Sequence, residues 1–259
     1  MTRISYILPT RNRPERLHDT LRALGDLAVH DAEVIVVDNA SERPVTAPRW
    51  LGNGLPVTLL RREDNLGAAA RNEGAAASDA ASEWLVMLDD DSYPVDIGWV
   101  HRLARHPADV LAVSADIHLP RMGCREAGGL PEVIVGCGAA VRRDAFLHSG
   151  GYDPSFGYYA EEYDLCARLL LAGGRIEFDH DFRVEHHKVA QGRNMDEILY
   201  RLMRNNGWVA ERYAPSTHRR SELREIRSRY RAIGRKEHAE AGARRGLLEL
   251  RQTRAMQRR

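Results

Sequence analysis

The chain has 259 residues, 43% of them hydrophobic, enough for one large α/β domain or two small ones with a real core. Only Lys188 and Lys236 of its 38 basic residues are lysines, and the formal net charge of +1 hides an asymmetry: residues 218–259 carry 14 Arg and Lys against 5 Asp and Glu, a balance of +9, and the preceding part carries −8. No apolar run approaches the roughly 18 residues of a membrane-spanning helix, the N-terminus lacks the pattern of a signal peptide, and Cys124, Cys137 and Cys166 have no CxxC spacing, so a membrane span, a disulfide framework and a zinc site are disfavoured and a soluble, cytoplasmic protein is expected.

The run ISYIL (Ile4 to Leu8) is β-branched and of strand length. Leu17, Leu21 and Leu24 follow at helical spacing after Pro14, with Gly25 as a stop, and then EVIVV (Glu33 to Val37) reads as a second strand. PVTLL and WLVML predict two more strands, separated by an alanine-rich helix beginning near Arg71. Repeated units of this kind imply a largely parallel sheet covered on both faces, with ligands at the carboxyl ends of its strands. Polar clusters sit at all of those ends: PTRNRPE, DNAS, EDNLGAAARNEG and DDDSYP. No GxGxxG follows the first strand and no GxxxxGK[ST] occurs anywhere, which disfavours a dinucleotide fold and a P-loop. Asp38 suits a base or ribose, or is a turn residue; Arg71, at a helix start, suits phosphate, or is a surface arginine.

LVMLDDDSYP drives an apolar strand into three adjacent carboxylates, which repel one another and call for a cation or protons. Further on, EEYD places acids in the first turn of a helix, where the macrodipole favours them. VEHHK offers two adjacent histidines, either strand residues or ligands.

The segments YILPTRNRPERLHDTLRAL, EVIVVDNAS, NLGAAARNEG, LVMLDDDSYP, GCGAAVRRDAFLHSGGYDPSF and YYAEEYDLCARLLLAGGRI, in this order, resemble a family-2 glycosyltransferase of the GT-A fold, over about Ile4 to Pro215. The resemblance implies a Rossmann-like α/β fold, its mostly parallel central sheet flanked by helices. It also implies inverting transfer of a sugar from a nucleotide-diphosphate donor, UDP- or dTDP-linked, to an acceptor hydroxyl of a lipid-linked glycan or a small-molecule natural product. Carried over by position, Pro9, Thr10, Arg11, Asp38, Asn65, Gly67, Arg71, Asn72, Asp89 and Asp90 would line the nucleotide sugar. Asp89, Asp91 and His186 would hold Mn²⁺ or Mg²⁺, with His187 the alternative ligand. Neighbouring residues at a strand end point to opposite sides, so Asp89 and Asp91 are expected to face one ion while Asp90 turns away or reaches the donor. An imidazole in the set favours Mn²⁺. Glu162 stands where relatives carry an aspartate as general base; Glu161 and Asp164 are the other candidates. Tyr152, Phe156, Tyr158 and Tyr159 suit stacking on a sugar, or core packing.

The expected organisation is a catalytic domain over 1–217, with a nucleotide-binding half (1–100) and an acceptor half (101–217), and a basic helical C-terminal extension over 218–259. In the extension Leu223, Ile226, Tyr230 and Ile233 recur at helical steps among arginines. That stripe packs on the catalytic domain or a second subunit, or the helix attaches to an anionic surface such as the inner membrane face. Nucleic acid is not expected as a partner, because Tyr230 is the extension's sole aromatic. Two other functions stay open: a non-catalytic nucleotide-sugar-binding protein, and a nucleotidyltransferase.

Overall fold

In the computed structural model, which describes residues 2–126, 130, 132–188 and 194–258, the first apolar run becomes β1 (Ile4–Thr10), at the centre of a parallel group. Pro14 opens α1 (Pro14–Gly25), whose Leu17, Leu21 and Leu24 are buried, and the chain returns as β2 (Ala32–Asn39). β3 (Val57–Arg62), a short 3₁₀ turn (Gly67–Ala69) and α2 (Ala70–Ala77) lead into β4 (Trp84–Met87). These four strands are parallel, in the order β3-β2-β1-β4.

Beyond β4 the pairing is mixed. The chain runs through β5 (Ser92–Pro94), α3 (Val100–Leu103), β6 (Val110–Leu119), β7 (Cys124–Arg125), β8 (Ala139–Arg142) and α4 (Arg143–His148). It continues through α5 (Glu161–Leu171) and β9 (Arg175–His186) into α6 (Met195–Tyr213), α7 (Arg219–Lys236) and α8 (Glu240–Gln257). β8 is antiparallel to both β4 and β6, β9 is parallel to β6, and β5 is antiparallel to β9, which among the described residues makes one nine-stranded sheet.

Alternation along the strands explains why both faces are covered. Tyr6, Leu8, Val34, Val36, Trp84 and Val86 point into the cluster capped by α1, while Ile7, Ile35, Val37, Leu85 and Met87 point into the one capped by α2, α4 and α5. A third cluster joins α6, α7 and α8 to Phe156 and Ala160. It includes Leu223, Ile226 and Tyr230, so the apolar stripe of the extension is buried against its own chain and packing continues across residue 217. No helix among the described residues is long and apolar enough to cross a membrane.

Close approach of α8 to α6 depends on two glycines one turn apart. A Cβ on Gly242 would lie 1.9 Å from the Asp196 carbonyl oxygen, and one on Gly246 would lie 2.3 Å from that of Tyr200. The Asp196 carboxylate also accepts the Gly242 N–H at 2.7 Å, capping the start of α8 from the neighbouring helix. Gly242→Ala and Gly246→Ala are each expected to lower stability by about 1–3 kcal/mol, the usual cost of overpacking, as measured by denaturant melts.

Candidate active site

A cleft of about 1140 Å³ opens beyond the carboxyl ends of β1 and β4. Its floor is the acidic segment after β4. Residues 89–91 do not extend the strand but turn: the Asp89 N–H donates to Ser92 Oγ at 2.8 Å and the Ser92 N–H to the Asp89 carbonyl at 3.2 Å. Asp89 and Asp91 line the cleft and Asp90 does not, the expected division, produced by a turn rather than by the pleat of a strand.

Each carboxylate has its own compensation. Asp90 is buried, bonded by the Thr10 hydroxyl at 2.7 Å and by Arg13 at 2.6 Å, and burial pushes its pKa up to about 7 against those two partners. Asp91 is also buried, but hydrogen bonds from His186 and Arg13 outweigh the desolvation and bring it to about 2. Asp89 is partly exposed and receives a short hydrogen bond from Arg71. The Arg71 guanidinium also reaches the carbonyls of Leu88 and Gly136, both at 3.0 Å, so it forms a buried wall of the cleft rather than a free group at a helix start.

His186 closes the site from β9. Its Nδ1 faces Glu126 Oε2 at 2.5 Å and Cys137 Sγ at 3.3 Å. Nε2 therefore points at Asp91 Oδ1, 3.2 Å away, and Asp89 Oδ2, 3.9 Å away. Burial works against a charged imidazole here, but the bonds to Asp91, Cys137 and Glu126 prevail and raise its pKa to about 12. His187 points elsewhere, stacking on Tyr93 with ring centroids 5.2 Å apart and meeting its hydroxyl at 2.8 Å.

This donor set fits a divalent cation. His186 Nε2 faces a carboxylate oxygen of Asp91 at 3.2 Å and one of Asp89 at 3.9 Å, so an imidazole nitrogen and two carboxylates line the same part of the cleft. Ligand atoms of Asp89, Cys137 and His186 also lie within 4.8 Å of one another. Cys137 is the poorer ligand, because it sits on the Nδ1 side of the ring and burial pushes its thiol up to about 12.

Opposite the acidic turn stands the start of α5. Tyr159 and Ala160, at φ +73° and +66°, hold a left-handed backbone that costs non-glycine residues about 1 kcal/mol or more each. The buried Asn205 of α6 secures it, its Nδ2 donating to the carbonyls of Phe156, Tyr158 and Tyr159 at 3.0, 2.9 and 2.7 Å. Glu161 and Glu162 then enter the cleft together. Burial raises the pKa of both, and Glu162 Oε1 accepts the Gly136 N–H at 3.3 Å.

Several expected site residues serve the frame instead. Arg11 is exposed and bonds the Ala40 carbonyl at 3.2 Å; Asn12, at φ +56°, turns the chain so that Arg13 enters the cleft in its place. Asp38 is buried, accepting from Ser41, Val45 and Arg61 at 3.0, 3.2 and 2.6 Å. Asn65 Oδ1 accepts from Asn39 and the Gly67 N–H, both at 3.0 Å. Gly67, at φ +62°, lies so close to Gly157 that a Cβ would come within 2.3 Å of its carbonyl. Asn72 clamps the backbone of Tyr152 through bonds of 2.8 and 2.9 Å. Pro9 and Thr10 end β1, the Thr10 hydroxyl being spent on Asp90. Among the nucleotide set, Arg71 and Asp89 line the cleft.

Asp164 requires a correction as a base candidate. It faces away from the cleft, 1% exposed, with its oxygens taken by Arg168 at 3.0 Å, Arg212 at 2.6 Å and the Tyr213 hydroxyl at 2.7 Å. Phe156 is likewise a core residue packed on Trp208, and Tyr152 is buried against Phe146. Tyr158 and Tyr159 are the members of that aromatic group exposed along the cleft. Glu126, Lys188, Arg229 and Tyr230, none of them expected in the site, line it too.

The cleft thus sets an acidic turn at a strand's carboxyl end opposite a pair of glutamates, all carried by one α/β fold. Residues 5–118 match the family described as Glycosyl transferase family 2. It is 30% identical to the pre-mycofactocin glycosyltransferase of Mycobacterium tuberculosis over an alignment of 212 residues, covering 70% of this chain and 43% of that protein. An uncharacterized glycosyltransferase of Haemophilus influenzae is 38% identical over 192 residues, covering 64% of this chain and 62% of that protein. The chain thus spans less than two thirds of the length of these relatives. The fold is also that of the mannosyltransferase PcManGT from Pyrobaculum calidifontis in complex with GDP-Man and Mn²⁺ (TM-score 0.62, 17% identity, 95% of this chain and 74% of that one). S. aureus TarS 1-349 in complex with UDP-GlcNAc is similar at TM-score 0.63 and 16% identity, over 91% of this chain and 74% of that one.

Removing a partner from a buried ion pair typically costs about 3–5 kcal/mol. Asp164→Ala, which leaves Arg212 with Asp153 as its remaining carboxylate and Arg168 with the carbonyls of Ser149 and Gly151, is expected to lower stability toward the lower end of that scale in denaturant melts and to leave nucleoside diphosphate affinity unchanged by calorimetry.

Proposed function

We propose that this chain is an inverting, metal-dependent glycosyltransferase that moves a sugar from a UDP- or dTDP-linked donor to an acceptor hydroxyl. The observation that carries this reading is the convergence of Asp89, Asp91 and His186 Nε2 in one cleft with Glu161 and Glu162. The relatives named as glycosyltransferases support the reaction class, and the similar structures holding GDP-Man with Mn²⁺ and UDP-GlcNAc support a nucleotide-sugar donor.

Asp89, Asp91 and His186 would hold Mn²⁺ or Mg²⁺, which would supply positive charge to offset the charge developing on the departing nucleoside diphosphate. Glu126 holds His186 through Nδ1 and so keeps Nε2 directed at the two aspartates. Arg13 fixes Asp90 and Asp91 from the turn after β1. Across the cleft, Glu162 accepts the proton of the acceptor hydroxyl as that oxygen attacks the anomeric carbon on the face opposite the leaving diphosphate, inverting its configuration. Tyr158, Tyr159 and, from α7, Tyr230 supply aromatic surface for the acceptor, which we place among lipid-linked glycans or small-molecule natural products.

A panel of UDP-, dTDP- and GDP-linked sugars, scored by thermal shift with Mn²⁺ and by release of free nucleoside diphosphate, tests the reading. A nucleotidyltransferase would release pyrophosphate and a binding protein nothing. Asp91→Ala and chelator should both make diphosphate binding weak and indifferent to Mn²⁺. Glu162→Gln should retain donor affinity while turnover falls roughly 10²- to 10⁴-fold. The base acts as carboxylate and its pKa is raised, so kcat/KM should climb with pH along a limb lying above the ordinary glutamate range, and that limb should vanish in Glu162→Gln. Normal turnover in Glu162→Gln alongside a dead Glu161→Gln would transfer the role to Glu161.

A further inference from the structure

A second cavity, about 380 Å³, lies away from the cleft among α6, α7 and α8. Its charged lining is six arginines and one glutamate: Arg219, Arg220, Arg224 and Arg227 of α7, Arg254 of α8, Arg258 just after it, and Glu211 of α6. Arg220, Arg224 and Arg227 recur at four- and three-residue steps and so share a face of α7, and Arg254 and Arg258 are one turn apart. The single acid is engaged through one oxygen, Oε2, while Oε1 of Glu211 is buried without a hydrogen bond. Glu211 is buried, receiving Arg258 Nε at 2.9 Å, with Arg219 Nε at 3.9 Å. The guanidiniums of Arg220, Arg224, Arg227 and Arg254 form no hydrogen bond or ion pair among the described residues. Nε of both Arg219 and Arg227 is buried without an acceptor. Burial, followed by the neighbouring Arg251, Arg254 and Arg231, makes Arg227 harder to keep charged.

Arg220, Arg224 and Arg254 are exposed and their donors meet water, but the mutual repulsion of the group and the buried Nε of Arg227 find no compensation among the described residues. Guanidiniums forming several hydrogen bonds to one small, multiply charged oxyanion are the arrangement that removes both costs. We propose that this basin binds a phosphate-bearing polyanion of the diphosphate class, held by Arg220, Arg224, Arg227 and Arg254 at a site separate from the donor cleft. The ligand is either a soluble diphosphate or the phosphate headgroup of a lipid. This inference stands independently of the chemistry assigned to the cleft.

Inorganic pyrophosphate is the probe, titrated into the full chain in the presence of chelator so that metal-dependent binding in the cleft is suppressed. Wild type should bind it by calorimetry, more weakly as salt rises, and should melt at a higher temperature in its presence. The double variant Arg224→Gln, Arg227→Gln should bind about tenfold more weakly or worse, the loss expected from removing charge-assisted hydrogen bonds. Without pyrophosphate it should melt no lower than wild type, because it relieves repulsion. Asp91→Ala should bind as wild type does. Sedimentation with phosphatidylcholine vesicles, with and without phosphatidic acid, identifies the source: capture by the acidic vesicles, competed by pyrophosphate, assigns a lipid headgroup, and pyrophosphate binding without capture assigns a soluble ligand. Failure of wild type to bind either probe overturns the proposal, as does undiminished affinity in the double variant or loss of affinity in Asp91→Ala.

Discussion

Three adjacent carboxylates at the end of an apolar strand are the constraint around which the rest of the molecule is arranged. Buried negative charge is tolerated only where partners meet it. Here the partners arrive from separate elements: Arg13 and Thr10 from the end of β1, Arg71 from α2, His186 from β9. Arg71 does a second job, since its bonds to Leu88 and Gly136 tie the strand end to the segment before β8. The cleft is therefore the place where the two halves of the sheet are joined by electrostatics as well as by the β4–β8 ladder.

The first four strands, their helices and the location of the site at their carboxyl ends were legible because each is a local pattern: β-branched runs, leucines at helical spacing, polar clusters following strands. Asp89, Asp91 and Glu162 were named through the family resemblance of their acidic clusters, and all three line the cleft. The resemblance put His186 ahead of His187, and the structure turns the first to Asp91 and the second to Tyr93. What failed to show was whatever depends on one backbone angle or one distant partner. Arg11 and Arg13 are equivalent in sequence until Asn12 adopts a positive φ. Asp164 belongs to the same acidic cluster as Glu162, but helical rotation carries it to Arg212 on α6. Asp38 near the end of β2 and Asn72 in the first turn of α2 are polar residues whose bonds are all internal. Glu126 had no local signal at all, because only the fold brings it to His186.

The C-terminal helices are more closely bound to the cleft than their composition suggests. Asn205 on α6 fastens the left-handed turn that presents Glu161 and Glu162, and α7 contributes Arg229 and Tyr230 to the cleft wall. Charge asymmetry marked this region as distinct, whereas apolar packing makes it continuous with Phe156 and Ala160. Net charge describes how a segment meets its surroundings, and it carries no information about where a domain ends.

The ladder between β5 and β9 has a consequence for the order in which this chain acquires its fold. It sets Ser92 opposite His186 and lets the His187 N–H reach the Asp91 carbonyl at 2.8 Å, joining segments as far apart as the 94 residues between Tyr93 and His187. Pairings of such long range form late, because the chain entropy of closing the loop is lost before any contact rewards it. Until β9 docks, the acidic turn stands without its imidazole, and β6 lacks the partner that covers its open edge. Completion of the site and completion of the sheet are thus one event, so a chain that folds its parallel half and stalls there is left with a repelling acidic turn and an unpaired strand, the features by which an unfinished molecule is distinguished from a finished one.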